Sequence, residues 1–475
     1  MNKFKWKILG IYEDLYYYIL GLPRFLFVWK DNKKLSLLTF FDRNVKKRPN
    51  DIAFIFEGEK TTWKEANQKV NQYAGFLKSQ KIDKGDCFAI LMDNSPDFLM
   101  ILLASFRIGS IAALINTTVS GEGLKHVINI SNVKLIIAGA SHLSKLTNAL
   151  ENSDLINLPL FSIEDSERIP AEFKNIKDLS KQFSTFDAYE PVMKDVAAYI
   201  FTSGTTGLPK AALVDHAKLV KGSFAGHFLC FNFKTKDRLY MTLPLYHSTG
   251  LVLGWAASLR AGCANIIKPK FSASEFWGDV KKYKANKFIY VGELCRYLMN
   301  LPASETDKSN SIVQISGNGL RPDIWDSFQK RFNIKKIVEI YGATEAVGMT
   351  VNSFGRSGMI GRKRSDSTII HCNKDDGSPI LNEQGYCTKI SEGETGLYIQ
   401  KISSSAKFQG YLDAQASNKK ILQNVFNEGD QYFNTGDLIT LHDNNWLSFA
   451  DRVGDTYRWK SENVSTMEVA AILNN

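Results

Sequence analysis

A short apolar run, Val196 to Phe201, empties directly into Thr202-Ser203-Gly204-Thr205-Thr206-Gly207-Leu208-Pro209-Lys210. No other segment constrains the chain as much. The apolar run reads as a buried strand, and the nine residues after it hold hydroxyls, glycines and one lysine. Glycine N–H groups can approach a phosphate closely, hydroxyls can donate to its oxygens, and Lys210 brings a positive charge. The loop is not of the Walker A kind, which needs Gly-x4-Gly-Lys-Ser/Thr, because Lys210 follows Pro209 and precedes Ala211. The plainer alternative is an ordinary turn between strands, for which the stretch is long and chemically odd.

With 475 residues, 44% of them hydrophobic and 23% charged, the chain can bury a large core and predicts two or three domains. The net charge of +10 is spread over lysine-rich surface segments such as Lys46 to Arg48. No long basic run is interleaved with aromatics, so no nucleic-acid partner is expected. Attraction to anionic lipid or to phosphorylated substrates fits better. The six cysteines are scattered, with no Cys-x-x-Cys pair and no zinc spacing, as in a reducing compartment. Residues 6–29 are rich in aromatic and aliphatic side chains but are interrupted by Glu13, Asp14, Pro23 and Arg24. They fall short of a spanning helix and lack a cleavage site. Two readings stay open: an interfacial helix on a membrane surface, or an amphipathic helix packed on the domain itself. Phe98 to Ile115 also looks apolar, but Arg107 sits inside it and Gly109 breaks it. A buried helix followed by a core strand from Ile111 is predicted there.

Elsewhere strand and helix signals alternate. Phe54 to Phe56, Cys87 to Met92, Leu135 to Ala138, Arg238 to Leu243, Phe288 to Val291, Ile312 to Ser316 and Ile337 to Ile340 read as strands. Thr62 to Gln80 reads as a helix that opens on a Thr62/Glu65 capping box. The alternation predicts an α/β fold of mostly parallel sheets covered by helices. From about residue 365, glycine, asparagine and short alternating runs predict a small antiparallel β subdomain.

Further motifs come directly after strands. Gly317-Asn318-Gly319 could let backbone approach a flat ring. Tyr341-Gly342-Ala343-Thr344-Glu345 offers a stacking face, a hydroxyl and a hard oxygen ligand for Mg2+. Asn434-Thr435-Gly436-Asp437 offers a carboxylate for two ribose hydroxyls, and Asp451-Arg452 adds a cation. Each alone reads as a turn. In this order and spacing, together with the loop at 202–210, they resemble the adenylate-forming superfamily of acyl-CoA synthetases, luciferases and peptide-synthetase adenylation domains. Gly292-Glu293-Leu294-Cys295-Arg296-Tyr297-Leu298, Gly317 to Trp325 and Tyr432 to Val469 are similar to its fatty acid transport protein / very-long-chain acyl-CoA synthetase family. The resemblance covers roughly residues 35–475.

That resemblance implies a long- or very-long-chain fatty acid–CoA ligase using ATP, Mg2+ and coenzyme A, linked to fatty acid uptake at a cytosol-facing membrane. A homo-oligomer is compatible with it. It implies that Thr202, Ser203, Gly204, Thr205, Thr206, Gly207 and Lys210 hold the pyrophosphate part of ATP. Glu345, with Thr202, would carry Mg2+, and Thr344 would touch the α-phosphate. Gly317, Asn318, Gly319 and Tyr341 would frame the adenine, and Asp437 and Arg452 would hold the ribose. His247, in Tyr-His-Ser-Thr-Gly, would line or gate an acyl tunnel, or is a packed loop residue. Ala346 replaces the family's glycine beside the acyl pocket. Ser461 stands where the family has a glycine lining the coenzyme A tunnel. The expected organisation is a membrane-associated segment over 1–30, a large domain over 31–453, and over 454–475 the start of a C-terminal lid that the family carries further. A lid cut short would make a catalytically weak nucleotide- and fatty-acid-binding protein the alternative to the ligase.

Overall fold

Successive residues of the buried strands feed two different cores. In the strand Cys87–Leu91, Phe88 and Ile90 join one cluster of buried side chains, while Cys87, Ala89 and Leu91 join another. In Val196–Thr202, Ala198 and Ile200 divide from Tyr199 and Phe201 in the same way. A strand covered on both faces needs apolar residues at every position rather than at alternate ones. This is why these strands are legible as continuous apolar runs.

The computed structural model describes residues 3–16, 31–151, 153–163, 169–184, 188–202, 208–373, 376–403, 406–453, 456–459 and 462–465. Ser203, Gly204, Thr205, Thr206, Gly207 and Ser461 lie outside the described residues, as does 17–30 of the N-terminal segment. Cys87–Leu91 and Val196–Thr202 belong to a seven-stranded sheet, parallel except where Val196–Thr202 turns back against Lys210–Asp215. An eight-stranded sheet runs in the order Thr350–Asn352, Lys336–Tyr341, Gln314–Asn318, Lys287–Val291, Arg238–Met241, Ala264–Ile267, Ile52–Phe56, Glu59–Thr62. Its six inner strands are parallel and both edge strands are antiparallel. The larger core holds residues of both sheets and of the helices Leu37–Lys47, Trp63–Ser79, Pro96–Ile108 and His216–Ala225. The expected antiparallel subdomain is a third sheet, built on Thr395–Lys401, Gln431–Leu441 and Trp446–Arg452.

Local expectations hold where the chemistry is local. Thr62 accepts from the Glu65 N–H at 3.2 Å and Glu65 accepts from the Thr62 N–H at 2.8 Å, closing the capping box of Trp63–Ser79. Helix Pro96–Ile108 ends on Gly109 at φ +75°, a left-handed cap glycine adopts freely. Arg107 leaves the apolar helix face to reach Asp42, Asn67 and Asn71. The strand read at Ile312 to Ser316 lies two residues later, at Gln314–Asn318. Asn310 Oδ1 accepts from the Ile312 N–H at 2.9 Å and holds that residue in a turn. Gly317 and Asn318 are therefore strand residues, not part of a loop beyond the strand.

The N-terminal helix Lys3–Tyr16 lies on the third sheet: Trp6 is buried edge-on against Trp446 at 5.6 Å. The Arg356 guanidinium sits 5.5 Å and 5.3 Å from these two rings and pairs with Asp443 at 3.0 Å. No helix among the described residues is long and apolar enough to cross a membrane.

Candidate active site

Parallel strands carry their following loops to one end of a sheet, where the C-terminal ends define a crevice. Lys336–Tyr341 and Gln314–Asn318 deliver their motifs there. The seven-stranded sheet delivers the hairpin, in which Thr202 and Lys210 are direct cross-strand partners, the last pair before the connecting stretch. The glycine- and threonine-rich stretch thus does join two strands, and it leaves the sheet with a hydroxyl on one side and an ammonium on the other.

A residue that sequence reasoning missed draws these parts together. Gly410 to Leu412 runs along the outer edge of Lys210–Asp215: Leu213 N–H donates to Gly410 at 3.1 Å and Leu412 N–H to Ala211 at 2.9 Å. That pairing seats Tyr411, whose hydroxyl donates to Glu345 Oε1 at 2.8 Å. The Lys210 ammonium stands 5.9 Å from the Tyr411 ring. Burial and the Glu345 charge push the Tyr411 hydroxyl pKa well up, while Thr202 works against that shift. Thr202 Oγ1 is itself buried without a hydrogen-bond partner among the described residues. Desolvation, followed by the charge of Lys420, lowers the Lys210 pKa. Lys210, Lys218 and Arg452 all feel the Glu345 charge. Each of these cations also feels a carboxylate of its own: Asp413 for Lys210, Asp215 for Lys218 and Asp437 for Arg452.

Beside this centre, Asp437 anchors a second group. Its side chain is 3% exposed, yet Oδ1 accepts from Arg452 Nε at 2.7 Å and Oδ2 from the Tyr341 hydroxyl at 2.6 Å. Burial alone would lower the Arg452 pKa, but the Asp437 charge and hydrogen bond raise it. Asp437 and Arg452 are cross-strand partners. Thr344 reaches Ser248 at 2.9 Å, which brings the Tyr-His-Ser-Thr-Gly segment to the same place. His247 is half-buried, edge-on to Tyr246 at 4.8 Å. Ala346 is half-buried next to Glu345 in sequence, its N–H on the Ala343 carbonyl at 3.2 Å.

Gly317 and Gly292 have a packing reason that the sequence did not disclose, and Gly319 a conformational one. A Cβ on Gly317 would fall 2.0 Å from the Tyr290 carbonyl oxygen, and one on Gly292 would fall 1.7 Å from that of Gly319. Gly319 takes φ +79°. Its N–H and that of Leu320 donate to Glu339 Oε1, the latter at 3.1 Å, while Tyr290 donates to Glu339 Oε2 at 2.5 Å. Buried Glu339 therefore fixes the turn after Gln314–Asn318. A charged residue inside Ile337-Val338-Glu339-Ile340 is a readable anomaly, since a buried carboxylate must find donors.

Residues 41–392 match the family model described as AMP-binding enzyme. The chain belongs to the AMP-binding enzyme family. Within that family it is 33% identical over 450 residues to the medium/long-chain-fatty-acid–CoA ligase FadD6 of Mycobacterium tuberculosis, covering 94% of this chain and 73% of that one. It is 36% identical over 464 residues to human long-chain fatty acid transport protein 6, covering 94% and 74%. A putative long-chain-fatty-acid CoA ligase from Rhodopseudomonas palustris superposes with a TM-score of 0.74 at 20% identity, over 88% of this chain and 99% of that one. ATP-bound MatB from the same organism gives 0.73 at 20%, over 92% and 83%. These two show that the fold is the family's.

Proposed function

We propose that this AMP-binding enzyme family member is an ATP-dependent fatty acyl-CoA synthetase acting on long- or very-long-chain acids, with the thioester product coupled to fatty acid uptake. The observation that carries the reading is the gathering of Thr202, Lys210 and Glu345 around Tyr411. The relatives' names supply the acid.

In this reading a fatty acid carboxylate oxygen attacks the α-phosphorus of ATP and pyrophosphate leaves. The thiol of coenzyme A then attacks the acyl carbonyl carbon and AMP leaves. No protein nucleophile is needed, so the residues position and neutralise charge. Ser203, Gly204, Thr205, Thr206 and Gly207, with Thr202 and Lys210, hold the departing pyrophosphate. Thr344 meets the α-phosphate. Gly317, Asn318, Gly319 and Tyr341 frame the adenine. A carboxylate offers about four lone-pair sites, so Asp437 keeps two for ribose hydroxyls while engaged by Tyr341 and Arg452. His247 and Ala346 border the acyl chain, and Ser461 the pantetheine of coenzyme A.

Mg2+ fits the residues present. The buried Thr202 hydroxyl and the Glu345 carboxylate are hard oxygen donors that both act on the Tyr411 hydroxyl. Among the described residues no group of three or more His, Cys, Asp or Glu could hold a metal ion, which suits an ion held chiefly by substrate phosphates. When bound, it would neutralise charge on the pyrophosphate.

Association with a cytosol-facing membrane surface is part of the proposal. Its support is the outward face of helix Lys3–Tyr16, where Ile8, Ile11, Tyr12 and Leu15 recur at helical spacing and are each half or more exposed. The same helix also packs inward through Trp6, as the packed-helix alternative expects.

The deciding experiment is AMP release by the purified chain with Mg-ATP and oleate, with and without coenzyme A. AMP and acyl-CoA appearing together is the expected result. ATP binding with neither pyrophosphate nor AMP released would refute it.

A further inference from the structure

The opposite end of the eight-stranded sheet carries a second, unrelated concentration of charge. Ile52–Phe56, Arg238–Met241 and Ala264–Ile267 are parallel neighbours, so the residues that precede them meet at the sheet's N-terminal edge. Arg48 precedes the first, Lys234 and Thr235 the second, and Ala261 the third. With Arg43, Lys47, His227, Phe233 and Arg260, these residues line an open cavity of about 460 Å³. The proposed catalytic residues lie past the other ends of the strands, at the far side of the sheet.

Two of these cations are partly explained by the fold. Arg43 and Arg48 donate to the carbonyls of Arg260 and Ala261, and Asn44 to that of Leu259 at 2.7 Å, closing the end of helix Ala257–Ala261. Cations at a helix C-terminus are stabilising. Each guanidinium retains donors beyond that use. Arg260 goes further: it lies over Phe40 at 4.4 Å and Phe224 at 5.3 Å, and no hydrogen bond from its guanidinium is found among the described residues. Burial, then Arg43, hold its pKa down to about 10. Burial, then Arg48, lower that of Arg43. Burial, then Arg260, Lys234 and Arg43, hold His227 at about 4. Every charged group acting on these three is a cation. The neighbouring Asp237 carboxylate is occupied by the Lys234 N–H at 2.7 Å and Asn286 Nδ2 at 2.8 Å.

We propose that this cavity is a binding site for a phosphate-bearing anion, held by the guanidinium groups of Arg43, Arg48 and Arg260 and the ammonium groups of Lys47 and Lys234. Planar guanidinium forks match phosphate oxygens in pairs, and the cavity volume lies within the range of small-molecule sites. The shared chemistry is the phosphate. It can arrive on a soluble compound or as a lipid headgroup.

The test reads the site itself. The full chain, labelled at histidine, is titrated with inorganic pyrophosphate while the His227 imidazole is followed by NMR, with a His227→Asn chain giving the assignment. A bound anion favours the imidazolium, so a saturable response is expected, with the His227 pKa rising by one unit or more (about tenfold in its proton affinity). In a Lys47→Ala/Lys234→Ala chain, whose replaced side chains support no core packing, the pyrophosphate affinity should fall at least tenfold. No saturable change at His227 in the unaltered chain, or equal affinity in the double variant, overturns the proposal. Vesicles of phosphatidylcholine with and without phosphatidate separate the two sources. Displacement of pyrophosphate from His227 by phosphatidate vesicles alone identifies a headgroup site. A response to pyrophosphate that vesicles leave untouched identifies a soluble ligand.

Discussion

Two residues, Tyr411 and His216, carry the sharpest consequences at the scale of single side chains. Glu345 has one oxygen committed to Tyr411, so the tyrosine decides where the carboxylate points. Glu345→Ala should abolish Mg2+-dependent AMP formation. Tyr411→Phe should leave the carboxylate in place but unaimed. A hydrogen bond to a charged group contributes about 1.5–3 kcal/mol to stability, so the melting temperature should drop measurably, and AMP formation should fall because the carboxylate is no longer aimed. Equal rates for Tyr411→Phe and the parent chain would remove Tyr411 from the site. His216 reports on stability. It is 2% exposed, edge-on to Phe106 at 4.8 Å, and burial holds its pKa at about 4. The unfolded chain takes up a proton near pH 6.5, whereas the folded chain resists until about 4. Below pH 6.5 the unfolded state therefore binds more protons and stability is lost as pH falls, by about 3 kcal/mol for this one group. Urea titrations from pH 7 to pH 4 should show that slope, reduced in His216→Leu.

At the scale of elements, glycines separate packing from propensity. Gly292 opens helix Gly292–Met299 against the Gly319 carbonyl, whereas nothing lies within 4 Å of a Cβ on Gly278, inside helix Ala273–Tyr283. Gly278→Ala should stabilise the chain by about 0.5–1 kcal/mol. Gly292→Ala should destabilise it by about 1–3 kcal/mol and weaken ATP binding, because the displaced turn is the one Glu339 holds. Thermal melts and nucleotide titrations check both. The same contrast explains what could be read in advance. Strands buried on both faces announce themselves as apolar runs, and the capping box of Trp63–Ser79 is written within four residues. Tyr411 carried no such signal, since its place is set by edge pairing with Ala211 and Leu213, some two hundred residues earlier. Arg43, Arg48 and Arg260 lie far apart in sequence, and the parallel order of three strands brings them together. The register of Gln314–Asn318 slipped by two residues because a side-chain turn at Asn310 outcompeted the apolar pattern.

At the scale of the whole molecule, the N-terminal helix links the third sheet to solvent. Replacing Ile8, Ile11 and Leu15 with serine should release the chain from anionic vesicles in a sedimentation assay while leaving AMP formation from a soluble short acid unchanged. Persistent sedimentation would move the membrane contact elsewhere. The proposed catalytic centre itself is spread along the chain: the hairpin ends at Lys210, the metal carboxylate comes at Glu345, and the buried Asp437–Arg452 pair comes last. A ribosome adds roughly 5–20 residues each second. The stretch that ends at Lys210 therefore waits roughly 12–50 s after its own synthesis before Arg452 exists to complete the crevice. For that interval the proposed nucleotide site is half-made, because the Asp437–Arg452 pair that completes it is the part translated last.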